Sequence, residues 1–402
     1  MKKSLVVLTI AVVLVPPLAR TQTTSGVVQA REGQVFAARL FAKFPHDTNL
    51  LFSPTSVRLA LGMVLAGARG NTATEMTKAL ALSGNPRTAQ NGLAKEFRDL
   101  AAAEQQQQIV RVVNRVWGQT GRAFESDYLA LLQRGYGAPF GQLDFKNETE
   151  KSRVAINKFI EAKTERKIKE LIPPGALNDD VRLVVTNAVY FKASWAMPFP
   201  EEATKDDWFH ISASKAVRAK LMSTTQVFKY AMVGGAQLLE LPYASGRMSM
   251  VIVLPVDRSG LGQVEQSMND QTIASWVNAL KIARLKVTLP RFTMTNRFEL
   301  SKILASMGMR SAFDPRTANF SGIDGTRELY IDQAIHKAFI AVDEKGTEAA
   351  AATAFTMRLG GLAPTTPPIE FRADHPFVFF VRDVNIGSVL FMGHVVEPKM
   401  PD

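Results

Sequence analysis

Near residue 182 the apolar residues of this chain change period, and no linker marks the change. Upstream, residues 28–44 (VQAREGQVFAARLFAKF) and 54–68 (PTSVRLALGMVLAGA) place apolar side chains at helical intervals, the second with Ser53 as its N-cap. Residues 89–104 (AQNGLAKEFRDLAAAE) and 150–171 (EKSRVAINKFIEAKTERKIKEL) read as further amphipathic helices, the last stopped by Pro173, Pro174 and Gly175. Downstream, VRLVVTNAVYF, RMSMVIVLP and LKVTLPRFTM are β-rich, and in the last Leu285, Val287 and Leu289 alternate with Lys286 and Thr288. PFVFFVRD and SVLFMGHVV flank VNIG, a hairpin signal. Without a repeat, a low-complexity array or a composition break between the two regimes, one α+β domain is expected rather than two.

With 402 residues, 46% of them hydrophobic, the chain can bury a sizeable core. It must do so unaided, because the absence of cysteine removes disulfides, thiolate metal ligands and cysteine nucleophiles together. Lys2 and Lys3, the run LVVLTIAVVLV and the small Ala19 form the pattern of a secretory signal peptide over 1–20, cut near Ala19 to Thr21. The run is too short for a comfortable bilayer span, so stable membrane insertion is not expected. The destination expected is secreted or extracellular, the periplasm included. Loss of that segment lowers the net charge from +11 to +8. The densest basic stretch, EAKTERKIKE, intersperses glutamates, as a solvated helix face does, and no nucleic-acid partner is expected.

Enzyme chemistry leaves no trace in the motifs. The five histidines, His46, His210, His336, His375 and His394, lack metal-type spacing, so neither a metal nor a cofactor is expected. There is no G-x-S-x-G elbow, no phosphate-binding G-x-x-x-x-G-K-[ST] and no G-x-G-x-x-G after a strand. An enzyme is therefore not expected.

Four stretches in register resemble one family. NLLFSPTSVRLALGMVLAGARGNTATEM (49–76), TNAVYFKASWAMPF (186–199), IHKAFIAVDEKGTEAAAA (335–352) and the C-terminal ADHPFVFFVRD with SVLFMGHVVEP (373–398) are similar to the serpins, inhibitors of serine proteases and their relatives. The resemblance implies a serpin domain over 28–398, with three β-sheets, eight to nine helices and an exposed reactive-centre loop at about 344–370. It further implies irreversible, suicide-substrate inhibition: a protease acylates itself on the loop, the cleaved loop enters the main sheet, and the trapped enzyme cannot deacylate. The rival reading is a non-inhibitory serpin acting as a carrier, binding or chaperone-like protein.

The hinge residues suit insertion. On propensity alone DEKGTEAAAATAF favours a short helix. As a strand with Thr347 inward, the same face carries Ala349, Ala351, Thr353 and Phe355, small up to Phe355, while the only charge, Glu348, falls on the other. Gly346 would be the pivot and Glu344 the start of the hinge. From Thr347 to Leu359, at about 3.3 Å per residue, a strand would carry an attached enzyme roughly 40 Å or more. Counting from Glu344 points to Gly360 as the residue before the scissile bond, but glycine offers a specificity pocket nothing. Leu359, for chymotrypsin- or elastase-like enzymes, and Arg358, for trypsin-like ones, rank ahead of Gly360 and Met357. Cysteine proteases form a further target class, and the inhibitor is expected to act as a monomer. By resemblance, Ser53, Ser56, Asn187 and His336 match the polar cluster beneath the opening of the main sheet, and Trp195 the aromatic residue at its upper end.

Overall fold

The computed structural model describes residues 24–104, 109–137, 140–347 and 366–399. The helices are α1 (Thr24–Phe41), α2 (Pro54–Leu65), α3 (Gly70–Ala79), α4 (Pro86–Glu104), α5 (Ser126–Tyr136), α6 (Thr149–Lys163), α7 (Leu261–Gln266), α8 (Thr272–Ala279), α9 (Ser301–Ser306) and α10 (Ser321–Asp324). The strands are β1 (Leu50–Phe52), β2 (Ile109–Gln119), β3 (Gly141–Leu143), β4 (Leu183–Ser194), β5 (Lys205–His210), β6 (Ala216–Val233), β7 (Ala236–Pro242) and β8 (Met248–Pro255). They continue with β9 (Lys281–Pro290), β10 (Phe292–Glu299), β11 (Ala334–Val342), β12 (Gly346–Thr347), β13 (Ile369–Arg372), β14 (Phe377–Asp383) and β15 (Val389–Val395). Helices fill the first third and strands most of the rest, the α+β arrangement expected. The helices outnumber the expected eight to nine because α7, α9 and α10, each only four to six residues long, are counted with the rest.

Hydrogen bonding links the strands into two sheets. One has six strands, ordered β10-β11-β12-β4-β2-β3, with β11 also pairing β4 directly. The other runs β1-β15-β14-β8-β7-β6-β9-β13, with β5 on β6. Its two ends are joined through β6, whose first residues pair with β5 and whose last pair with β7. Three sheets by the family's reckoning thus become two by continuous pairing.

The six-stranded sheet is covered on both faces, and strand alternation divides its residues between them. Val185, Val189 and Phe191 belong to the main core, which includes α2. Val184, Ala188 and Ile335 belong to a second core with Ile156 and Ile160 of α6. The helix expected over 150–171 stops at Lys163. Thr164 accepts the amide of Ile168, and Glu165 and Arg166 adopt positive φ, so the chain turns back across the sheet. That turn delivers Ile168, Leu171 and Ile172 into the second core, a tertiary gain that overrides helical periodicity. Of the charges of EAKTERKIKE only Glu161 and Lys163 stand on the helix; beyond it Glu165 pairs with Arg111 of β2 at 3.0 Å, and Lys337 of β11 donates to the Lys169 carbonyl. Among the described residues no helix is long and apolar enough to cross a membrane.

Candidate functional site

The six-stranded sheet is split at one end. Strands β4 and β11 run parallel and pair from Ala334↔Val185 to Phe339↔Tyr190, and no further. Beyond that point the two-residue strand β12 lies between them, antiparallel to both: Thr347 faces Val342 on one side and Ala193 on the other. The chain reaches this slot by a tight turn in which Asp343 and Gly346 exchange backbone hydrogen bonds, and the Asp343 carboxylate accepts the amides of Lys345 and Gly346.

Gly346 is required there. Its φ is 152°, and a Cβ would sit 2.1 Å from the carbonyl oxygen of Ala193. Thr347, next along, is fully buried, and its hydroxyl lies 2.7 Å from the Tyr243 hydroxyl. Burial raises the Tyr243 pKa, so the phenol stays protonated and can serve as donor or acceptor to Thr347. The inward orientation expected of Thr347 is the one observed.

The turn is anchored from both sides. Trp195 stacks on Tyr243, with centroids 4.5 Å apart and planes 11° from parallel. Its ring N–H donates to the Asp343 carbonyl at 2.9 Å, and its amide donates to the Lys345 carbonyl at 2.9 Å. Glu344 is buried, which by itself would raise its pKa; hydrogen bonds from Thr204 and Arg291 outweigh burial and hold it below the usual carboxylate value. The Arg291 Nε contact is 2.6 Å.

Below the slot, His336 of β11 and Asn187 of β4 are directly paired and cross-linked through their side chains. The Ser53 amide donates to His336 Nε2 at 3.0 Å. Burial pushes His336 down to about 3, so the ring is neutral. With Nε2 accepting, Nδ1 carries the proton and donates to Asn187 Oδ1. Asn187 Nδ2 is thereby oriented toward the Ser56 carbonyl at 2.9 Å, the Ser56 hydroxyl and Asn114 Oδ1. Ser53 caps α2, its hydroxyl accepting the Ser56 amide at 3.2 Å. Three strands, β2, β4 and β11, and the first turn of α2 are therefore held by one polar network, which must exchange partners if β4 and β11 separate.

The eight expected positions within the described residues fall into two groups. Glu344, Gly346, Thr347 and Trp195 meet at the slot, and Ser53, Ser56, Asn187 and His336 form the latch below it. Ala349, Ala351, Thr353, Met357, Arg358, Leu359 and Gly360 lie outside the described residues. Sequence reasoning missed Tyr243, Arg291, Thr204 and Asn114. Each is an ordinary strand or loop residue far away in sequence, and only pairing of buried polar groups could have pointed to it.

A family model described as Serpin (serine protease inhibitor) matches residues 31–398. A serine protease inhibitor of Cyanea capillata is 37% identical over 363 residues, covering 88% of this chain and 93% of the relative. The leukocyte elastase inhibitor of Equus caballus is 35% identical over 361 residues, covering 87% and 93%. In structure, human thyroxine-binding globulin in complex with its ligand superposes with a TM-score of 0.84 at 25% identity, covering 94% of this chain and all of that one. Sequence match, sheet architecture and hinge agree, and the chain belongs to the serpin family.

Proposed function

We propose that this serpin is an irreversible inhibitor of serine proteases that works by inserting its cleaved loop between β4 and β11. The observation that carries the proposal is Thr347, buried and hydrogen-bonded in a slot between two strands that pair with each other lower down. The slot fixes a register. Thr347 opposes Val342 and Ala193, so an antiparallel strand continuing from it would set Ala349 between Ile340 and Phe191, and Ala351 between Ala338 and Val189. Thr353 would fall between His336 and Asn187. A small residue with a hydroxyl thus arrives where the side-chain link between those two must break, and it can replace the lost hydrogen bonds. On the inward face nothing larger than alanine or threonine would enter until Phe355, opposite Ala334 and Val185, while Glu348 would point to the other face.

The inhibitory sequence is kinetic. The protease serine attacks the carbonyl carbon of the scissile residue, the leaving amine takes a proton from the enzyme's histidine, and an acyl-enzyme forms. Loss of the tether at the cut lets the strand insert and drag the enzyme with it. Displacement of the serine from its oxyanion donors leaves the ester unhydrolysed. The chain acts as a monomeric inhibitor and not as a catalyst. Residues 1–20 direct its export, which places its targets outside the cell or in the periplasm.

A carrier function is the competing reading, because a structural relative was solved with thyroxine bound. Incubation with chymotrypsin, elastase and trypsin separates the two. The inhibitor reading requires a covalent complex that survives SDS with at least one of them, and the mass of the released C-terminal fragment identifies the bond among Met357, Arg358, Leu359 and Gly360. Cleaved protein without any such complex would remove inhibition for those enzymes.

A further inference from the structure

Three side chains from distant segments converge outside the hinge and latch. His46 lies in the turn after α1, Glu265 in α7 and His394 in β15. His394 and Glu265 are buried, while the side chain of His46 is 46% exposed. His394 Nε2 is 2.6 Å from the Thr48 carbonyl oxygen, which can only accept, so Nε2 carries the ring proton. In the neutral ring Nδ1 is then a lone pair, and it faces Glu265 Oε1 at 2.7 Å. Neither atom has a hydrogen-bond partner, and both are sealed from solvent. Two acceptors this close in a dry site repel each other unless a positive centre lies between them. The other carboxylate oxygen, Oε2, lies 2.9 Å from His46 Nδ1.

We propose that His46, Glu265 and His394 form a binding site for a divalent transition-metal ion of zinc-like chemistry. Two imidazole nitrogens and one carboxylate oxygen, with a fourth position open to solvent beside His46, are a donor set that zinc accepts in tetrahedral geometry. The three donor atoms all lie within 4.8 Å of one another. Metal–ligand bonds of about 2.0–2.2 Å need neighbouring donors roughly 3.3 Å apart, so with Oε1 as the ligand the His394 contact needs to open by about half an ångström and His46 Nδ1 to turn from Oε2 toward the ion. The supporting shell is in place. The Thr48 carbonyl fixes the tautomer that presents Nδ1, and Phe41 packs against both imidazoles, edge-on to His394 at 5.8 Å. Spacing in the sequence could not reveal this site, because its ligands come from a turn, a helix and a strand, and the expectation of no metal is revised accordingly. An ion here would tie the end of α1 to α7 and β15. His394 is also the register partner of Leu50, three residues before the latch residue Ser53.

The test uses the full chain without an affinity tag, stripped with EDTA. Titration with Zn2+ by calorimetry is expected to show one ion per chain, and Co2+ is expected to give the visible absorption of a four-coordinate site. His46→Ala, at an exposed position, and Glu265→Gln, nearly isosteric, are each expected to fold and to weaken Zn2+ binding by about tenfold or more. Absence of binding in the wild type, or an unchanged affinity in either variant, would overturn the assignment and leave a proton on His394 as the positive centre.

Discussion

Replacing Thr347 with arginine tests whether insertion at this slot is what separates an inhibitor from a substrate. Thr347 is fully buried between Val342 and Ala193, and its hydroxyl is used by Tyr243. A guanidinium brought into that position would lack a counter-charge, since the adjacent carboxylate of Glu344 is already held by Arg291 and Thr204. Burying an unpaired ion costs several kcal/mol even after relaxation. If about 4 kcal/mol of that cost enters the barrier to insertion, insertion slows roughly a thousandfold. Deacylation belongs to the protease and is untouched, so the partition between trapping and turnover reverses. The assay is the number of inhibitor molecules consumed per enzyme molecule inactivated, followed by SDS gel. Thr347→Arg is expected to be cleaved as a substrate with little or no stable complex, whereas Thr347→Ser keeps complex formation. An arginine variant that traps enzyme at the wild-type ratio would refute the reasoning.

Other perturbations follow from the same geometry. Gly346→Ala places a Cβ against the Ala193 carbonyl at a positive φ, which should cost more than about 1 kcal/mol, lower thermal stability and favour substrate-like cleavage; wild-type behaviour in both would count against Gly346 as the pivot. Arg291→Met strips a buried carboxylate of its cation at a partly exposed pair, with an expected loss of about 1–3 kcal/mol and faster tryptic cutting after Lys345, read by peptide mass. His336 has a native pKa of about 3 against 6.5 when free, so its contribution is fully present above pH 6.5 and is lost as pH falls toward 3. Between pH 7 and pH 5 the native state is expected to lose about 2 kcal/mol through this group, and urea unfolding of His336→Gln should lack that part of the pH dependence.

The single α+β domain was legible because periodicity is local: the alternation of Leu285, Val287 and Leu289 appears as a strand with those residues buried. The helix expected at 150–171 failed where a tertiary contact outbid a local pattern. Ile168, Leu171 and Ile172 continue the helical spacing but gain more by turning back over the sheet. The hinge and latch were readable only through resemblance, since Ser53 and His336 are separated by most of the chain and meet by folding. Their partners Tyr243, Arg291 and Thr204 carried no motif at all. The register that would bring Thr353 to His336 and Asn187 required coordinates, because alternation fixes which face a residue takes but not its neighbour across the strand.

Thermal unfolding of the intact protein and of the protein cut in its loop, with both fragments retained, tests the central claim most directly. Insertion adds a strand to the centre of the six-stranded sheet, so the cleaved form should melt well above the intact one, and Thr347→Arg should reduce that gain. Equal melting temperatures for the cut and intact wild-type protein would contradict loop insertion between β4 and β11.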